Sequence, residues 1–179
     1  MWFILIKQYW NISLLREKPE NTPYSPFLSC IVSLVFFAVI ILQWMITDIS
    51  QKLTFGVSFL IAGSLILSYV LYTWVLLFLF RLPSHFLQTL TCLLAGHTVV
   101  HLIAFPLLLI MPLFLNEHIS PIIGPFVGFL YLVLTLILAI WQFIVSAYIY
   151  KHALAVSWLA AILAGFGLLA CNILTISFW

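Results

Sequence analysis

The sequence predicts an all-α polytopic membrane protein: a bundle of about five transmembrane helices, preceded by a short amphipathic helix at the interface. Two observations predict this fold. Hydrophobic residues make up 66% of the 179 residues and charged residues only 6%, whereas a soluble domain carries about 25% charged residues. The few charges fall outside five apolar runs that each reach the roughly 20 residues needed to cross a bilayer. The runs are Phe27–Thr47, Leu53–Phe80, Phe86–Leu115, Pro125–Tyr150 and Ala153–Trp179.

The chain divides into an N-terminal segment, residues 1–26, and one membrane domain, residues 27–179. Only short connections separate the five runs, so no soluble domain can fold between them. Any function must therefore lie in the membrane, at its two surfaces or in the N-terminal segment. The predicted connections are Asp48–Lys52, Arg81–His85, Asn116–Gly124 and Lys151–His152.

The first 16 residues offer a broad apolar surface and predict a helix that lies in the membrane interface. Lys7, Asn11 and Lys18 share one face of this helix if it runs that far. Packing of the same residues on the bundle is an equally good interpretation. The stretch Lys18–Pro26 contains three prolines, which favour an extended bend before the first span.

The basic residues predict the orientation of the chain. Five of the six lie on one side of the predicted spans, and the positive-inside rule assigns that side to the cytoplasm. We therefore expect a cytoplasmic N-terminus and an external C-terminus, and the short loops favour a bacterial inner membrane. A net charge of +2 without basic clusters indicates no nucleic acid partner. The five are Lys7, Arg16, Lys18, Arg81 and Lys151, and Lys52 is the exception.

Two prolines, Pro106 and Pro112, lie in the third span and predict a bent helix. Each proline lacks a backbone N–H, so the carbonyl groups of Leu102 and Leu108 lose their helical partners. In lipid such carbonyl groups need other donors, which favours a central position for this span.

Small residues predict close helix packing on the last two spans. They recur at four-residue spacing on the fifth span and at the start of the fourth. Packing within one chain is favoured over dimerisation, because five helices must first pack with one another. The residues are Ala153, Ser157, Ala161 and Gly165 on the fifth span, and Gly124 and Gly128 on the fourth.

The sharpest candidate for chemistry is a pair of histidines, His97 and His101, in the third span. Residues four apart share a helical face, so both imidazoles can point into one space. His97 lies about eleven residues into its span, which places it near the bilayer centre. An ionisable residue at that depth is a candidate functional site, with a metal or haem ligand and a proton relay as possible roles.

The surroundings of this pair favour a structural role, with no metal and no cofactor. No other span contains His, Asp or Glu, so further metal ligands are missing. Neutral histidines that bond to carbonyl groups near Pro106, or to Ser and Thr on neighbouring spans, explain the pair more simply. Three further polar residues are predicted to form interhelical hydrogen bonds, and three cysteines to be free thiols. These are Gln43, Gln142 and Asn172, and Cys30, Cys92 and Cys171.

The layout from Arg81 to about Leu174 resembles the Yip family of membrane proteins and its bacterial relatives. A short basic turn leads through Phe86-Leu-Gln into a span with Gly and Pro, and Trp141-Gln-Phe-Ile-Val-Ser-Ala precedes the turn at Tyr150-Lys-His-Ala-Leu. The resemblance implies a helical bundle without catalytic residues. The Asp-Leu-Tyr-Gly-Pro element of eukaryotic members is absent, so the resemblance does not imply binding of Rab GTPases.

Three functions stay open at the level of sequence. The first is a non-catalytic accessory or assembly subunit, which contacts the lipid bilayer and a membrane-protein partner or a second copy of the chain. The second is a small channel or carrier for an apolar or lipid-like solute that uses the bent third span. The third is a metal or haem protein built on the histidines. The sequence holds no GxSxG, HExxH or P-loop motif, so no catalytic residue is predicted.

Overall fold

A computed structural model describes residues 2–47, 55–114 and 123–179, and this part of the chain contains helices and no strand. Two short 3₁₀ turns, Pro19–Asn21 and Pro83–His85, interrupt the connections. The α-helices are α1 (Trp2–Ser13), α2 (Pro26–Thr47), α3 (Phe55–Leu79), α4 (Phe86–Phe114), α5 (Ile123–Leu154) and α6 (Trp158–Ser177).

Helices α2 to α6 confirm the five predicted spans. Each is long and apolar enough to cross a membrane, and their ends lie within a few residues of the predicted ones. The protein is therefore an integral membrane protein with an all-α bundle fold. The connection predicted at Lys151–His152 is wrong, because α5 continues as a helix to Leu154. The loops predicted at Asp48–Lys52 and Asn116–Gly124 fall wholly or largely outside the described residues.

The five spanning helices pack as a closed ring. Helix α2 packs against α4, α4 against α5, α5 against α6, α6 against α3, and α3 returns to α2. Helix α3 also touches α4 across the ring. We call the end at which α2, α4 and α6 begin the near end, and the opposite end the far end. The predicted central position of the third span agrees with α4, which packs against α1, α2, α3 and α5.

The second half of α1 packs on the bundle, against α4. Tyr9, Ile12 and Ser13 are buried. The indole N–H of Trp141 donates to the carbonyl oxygen of Ser13 at 2.8 Å, and the Ser13 hydroxyl lies beside Gly96. Gly96 is ten residues into α4, so α1 ends at a depth of about 15 Å from the near end. Of the two interpretations of the N-terminal segment, packing on the bundle describes this half of α1.

After α1 the chain returns to the near end. The side-chain amide of Gln88 donates to the carbonyl oxygens of Pro19, Glu20 and Thr22 at 3.1, 3.1 and 2.7 Å. The face predicted to hold Lys7, Asn11 and Lys18 together does not form, because α1 ends at Ser13. Burial raises the pKa of the Tyr9 phenol well above its ordinary value.

Three helices, α1, α3 and α5, end in the same way. In each, a residue other than glycine adopts a left-handed conformation, with φ of 60°, 59° and 52°. The N–H of the following residue then donates to a carbonyl five residues back, which is the Schellman pattern of helix termination. The left-handed residues are Leu15, Arg81 and Ala155, and the bonds run from Arg16 to Asn11, Leu82 to Leu77 and Val156 to Lys151.

The small-residue ridge predicted on the fifth span is wrong in its first half. Ala153 belongs to α5, because the left-handed Ala155 ends that helix. Ser157 caps the N-terminus of α6, and its hydroxyl accepts from the N–H of Ala160 at 3.5 Å. The four residues therefore do not lie on one helix.

The second half of that ridge does pack closely. Ala161 and Gly165 are buried on α6, and a Cβ on Gly165 would lie 3.6 Å from the Cβ of Ala147 on α5. Gly128 differs, because no heavy atom of the described residues lies within 4 Å of a Cβ built there. Packing within the chain is thus not seen at Gly128, and the surroundings of Gly124 lie outside the described residues.

Helix α4 runs continuously through both prolines of the third span. The bend predicted at Pro106 and Pro112 stays a prediction, and the surroundings of Pro112 lie outside the described residues.

Candidate functional site

A cavity of about 380 Å³ lies at the centre of the ring, and all five spanning helices line it. Its volume falls in the range of roughly 300–1,000 Å³ that is typical of ligand pockets. Its polar floor lies at the level of Tyr69, His97 and Ser146, about midway along the bundle. From there the lining extends toward the far end, to Thr47 and Ile176.

The cavity is closed toward the near end. Thr73 and Tyr150 lie one helical turn beyond the floor, are fully buried and hydrogen-bond to each other at 3.0 Å. Leu77 and Leu93 are also fully buried at this end. Lining residues near the far end are exposed, Ile173 among them. Among the described residues the cavity therefore opens toward the far half of the bundle.

The hydrogen bonds of Ser146 favour one tautomer of His97. The Ser146 hydroxyl lies 3.0 Å from the carbonyl oxygen of Gln142, to which it can only donate. When its proton goes to that carbonyl, its oxygen accepts from Nε2 of His97, 2.7 Å away. In this arrangement Nε2 carries the proton, and Nδ1 is an acceptor with one lone pair.

Two donors compete for that single lone pair. The Tyr69 hydroxyl hydrogen-bonds to Nδ1 of His97, and the side-chain amide of Gln142 lies 3.1 Å from the same atom. The side chains of Asn172 and Gln142 also reach the Tyr69 oxygen, which can accept from them while its proton goes to Nδ1. The second N–H of the Gln142 amide is left without a partner among the described residues.

His101 presents an unpaired imidazole to the same cavity. Its backbone carbonyl accepts from the side-chain amide of Gln43 at 2.9 Å, and its ring packs edge-on against Phe36 at 5.8 Å between centroids. No described residue hydrogen-bonds to its ring nitrogens. The imidazole is therefore a polar group that a ligand could satisfy.

The lining is otherwise uncharged and mostly apolar. None of the described residues that line the cavity is Asp, Glu, Lys or Arg. Between the floor and the far end the walls of the cavity are aromatic and aliphatic. They include Ile40, Trp44, Leu65, Leu108 and Phe143. Such a surface fits an apolar chain, whereas the floor fits a small polar group.

The predicted site residues come together in part. His97 and His101 share one space, as predicted, and the bond of His97 to Ser146 matches the expected serine on a neighbouring span. Interhelical hydrogen bonds are confirmed for Gln43, Gln142 and Asn172, the last of which accepts from Ser68 at 3.0 Å.

Sequence reasoning missed the roles of Tyr69, Ser146 and Phe36. Polar pairs at four-residue spacing were the available signal for the first two, since Gln142 and Ser146 share a face, as do Tyr69 and Thr73.

The described residues include no group of three His, Cys, Asp or Glu side chains that could hold a metal ion. Both ring nitrogens of His97 already have protein partners. Cys30, Cys92 and Cys171 are free thiols, as predicted.

Comparisons with protein-family models, with curated proteins and with solved structures gave no match. The resemblance to the Yip family remains a prediction.

Proposed function

We propose that this protein is an intramembrane binding protein or carrier for a lipid-like amphiphile, the carrier function left open by the sequence. The observation that carries this proposal is the central cavity, with its apolar walls and its polar floor sealed toward the near end. A molecule with an apolar body and a small polar end matches both parts of this surface. The lipid bilayer supplies such molecules directly.

We propose binding rather than catalysis because of the direction of one hydrogen bond. The Nε2–H group of His97 donates to Ser146, whose own proton goes to a backbone carbonyl. A serine nucleophile needs the reverse arrangement, in which the histidine accepts the serine proton.

We further propose that the near end faces the cytoplasm of a bacterium and that the membrane is its inner membrane. The near end holds Arg81 and Lys151 beside the helix ends, as the positive-inside rule requires. In this orientation the cavity takes its ligand from the outer leaflet.

The test is lipid analysis of the purified full-length chain, with Ala139→Trp and Ile137→Trp as a matched pair. Ala139 lines the cavity, whereas Ile137 lies on the opposite side of α5 and is exposed. We expect one class of amphiphile to be retained through mild detergent by the natural protein and by Ile137→Trp, but lost from Ala139→Trp. Equal lipid content in all three would contradict the proposal.

A second candidate is an assembly subunit with a membrane-protein partner or a second copy. The observation that favours it is the far half of α5, where no residue from Pro125 to Ile140 is buried and Gly128 has open space around it. Small residues at such a position permit close helix contact. Mass spectrometry of proteins that co-purify with the natural chain, but not with Gly128→Leu, would support this candidate.

A further inference from the structure

We infer that the ligand of the central cavity has an uncharged hydroxyl or carbonyl head, seated on the floor between the Tyr69–Gln142 pair and His101. This inference rests on the proposed binding function and adds the chemistry of the head group. Three properties of the cavity carry it: surplus donors, the unpaired imidazole of His101 and the absence of charge from the described lining.

The surplus donors call for an acceptor on the ligand. Nδ1 of His97 can accept one good hydrogen bond, which the Tyr69 hydroxyl donates, and the Tyr69 oxygen accepts one N–H of the Gln142 amide. The second N–H of that amide has no partner among the described residues and is left for another acceptor. A buried donor without a partner is costly in an apolar environment, so an oxygen on the ligand stabilises the floor.

The imidazole of His101 supplies the complementary bond. A neutral imidazole carries one donor and one acceptor, and neither has a partner among the described residues. A hydroxyl head can therefore accept from the Gln142 amide and donate to His101. A carbonyl head can accept from both.

Charged heads are excluded by the same surface. A carboxylate, phosphate or ammonium on the floor would meet no opposite charge among the described lining residues. A charge held unpaired near the bilayer centre is expensive, because the hydrocarbon and the apolar walls cannot solvate it.

The shape of the cavity sets the orientation of the ligand. The lining on α4 runs from His97 on the floor to Leu108, which are eleven residues apart and therefore separated by about 16 Å along the helix. The head lies at the midplane, and the apolar chain points toward the far end between Trp44 and Phe143. This orientation is the reverse of that of a bilayer lipid, whose head lies at the surface.

The experiment uses photoactivatable probes of equal chain length that differ only in the head: a long-chain alcohol, the carboxylate and the primary amine. Each carries a diazirine in the chain and is equilibrated with the full-length protein in phosphatidylcholine nanodiscs. Mass spectrometry then measures the labelled fraction and its position, corrected for partition of each probe into the bilayer. Ala139→Trp defines the labelling that comes from the cavity, with Ile137→Trp as its control.

We expect saturable labelling of cavity residues by the alcohol, and labelling at least about tenfold weaker by the two charged probes. His101→Phe keeps the aromatic packing on Phe36 and removes only the unpaired nitrogens, so it should lower alcohol labelling several-fold. Cavity labelling by the carboxylate or the amine at the level of the alcohol would overturn the inference and leave the binding function standing. Absence of cavity labelling with every probe would overturn the binding function itself.

Discussion

Two buried serines, Ser146 and Ser58, should differ in their contribution to stability, because only Ser146 hydrogen-bonds to His97. Ser146→Ala removes the acceptor of the Nε2–H group, so we expect a loss of about 1–2 kcal/mol in the free energy of unfolding. Ser58 is also fully buried, but its hydroxyl oxygen has no partner among the described residues. Ser58→Ala should therefore leave stability unchanged or raise it slightly. Unfolding of both variants in mixed detergent micelles measures the difference, and equal losses would contradict the assigned network.

Gly167 and Gly128 should also differ in how alanine at each position affects stability. A Cβ on Gly167 would lie 2.7 Å from Cζ of Tyr72 and would also clash with the Tyr72 hydroxyl, which donates to the carbonyl of Ala164 at 2.7 Å. We expect Gly167→Ala to destabilise the protein by about 1–3 kcal/mol through overpacking.

The control is Gly128→Ala, where a Cβ meets open space. Its melting temperature in detergent should equal or slightly exceed that of the natural protein, because alanine favours helix more than glycine does. A loss of stability at Gly128 as large as at Gly167 would contradict the packing of α6 on α3.

Among the secondary-structure elements, the helices that end in a left-handed residue are strained there, and glycine at that position would remove the strain. Ala155 has a φ of 52°, which costs an L-residue roughly 1–2 kcal/mol and glycine almost nothing. Ala155→Gly should therefore stabilise the protein by about 1 kcal/mol. Ala153→Gly, two residues earlier in the regular helix, should destabilise it by a similar amount. Thermal unfolding of the two variants in one detergent measures both signs, and the same sign for both would contradict this helix end.

The two halves of α1 should contribute differently to the free energy of unfolding. Ile12 is 0% exposed, whereas Ile4 is 68% exposed. We expect Ile12→Ala to lower the free energy of unfolding by about 2–5 kcal/mol, as for other buried isoleucines. Ile4→Ala should change it very little. If α1 lay wholly in the interface, both substitutions would have small and similar effects.

At the scale of the whole molecule, the orientation can be tested with reporters. In the orientation that we propose, with a cytoplasmic N-terminus, five spans would place Trp179 outside. A periplasmic phosphatase fused after Trp179 should be active, and the same enzyme inserted after Arg81 should be inactive. The opposite pattern would show an inverted bundle and would move the opening of the cavity to the inner leaflet.

Most of the fold could be predicted because the bilayer imposes a simple rule. A charge-free apolar run of sufficient length must form a helix that satisfies its own backbone, so all five spans were found. The helix ends were harder to place. Leu15, Arg81 and Ala155 end their helices in a conformation that usually calls for glycine, so no local signal marked them.

The candidate site could be predicted in its histidines and in the hydrogen-bonding residues Gln43, Gln142 and Asn172, but not in Tyr69 or Ser146. His97 is conspicuous because it is ionisable and lies deep in a span. Tyr69 is equally important to the hydrogen-bond network. Tyrosine is common in membrane proteins, so its presence in a span does not mark a functional site. The order of helices around the ring brings Tyr69 to His97, and that order depends on packing between distant segments that a single sequence does not reveal.

The length of α5 has a consequence for the membrane itself. Its 32 residues span about 48 Å, against about 30 Å for the 20 residues of α6 and for the hydrocarbon core of a typical bilayer. Lys151 and His152 lie past the apolar run of α5, Pro125–Tyr150, whose 26 residues span about 39 Å. That run fits the core only at a tilt near 40°, the upper end of the usual range, whereas α6 fits upright. At any smaller tilt of α5 the bilayer beside it must thicken, and a mismatch of this kind sorts proteins among membrane regions of different thickness.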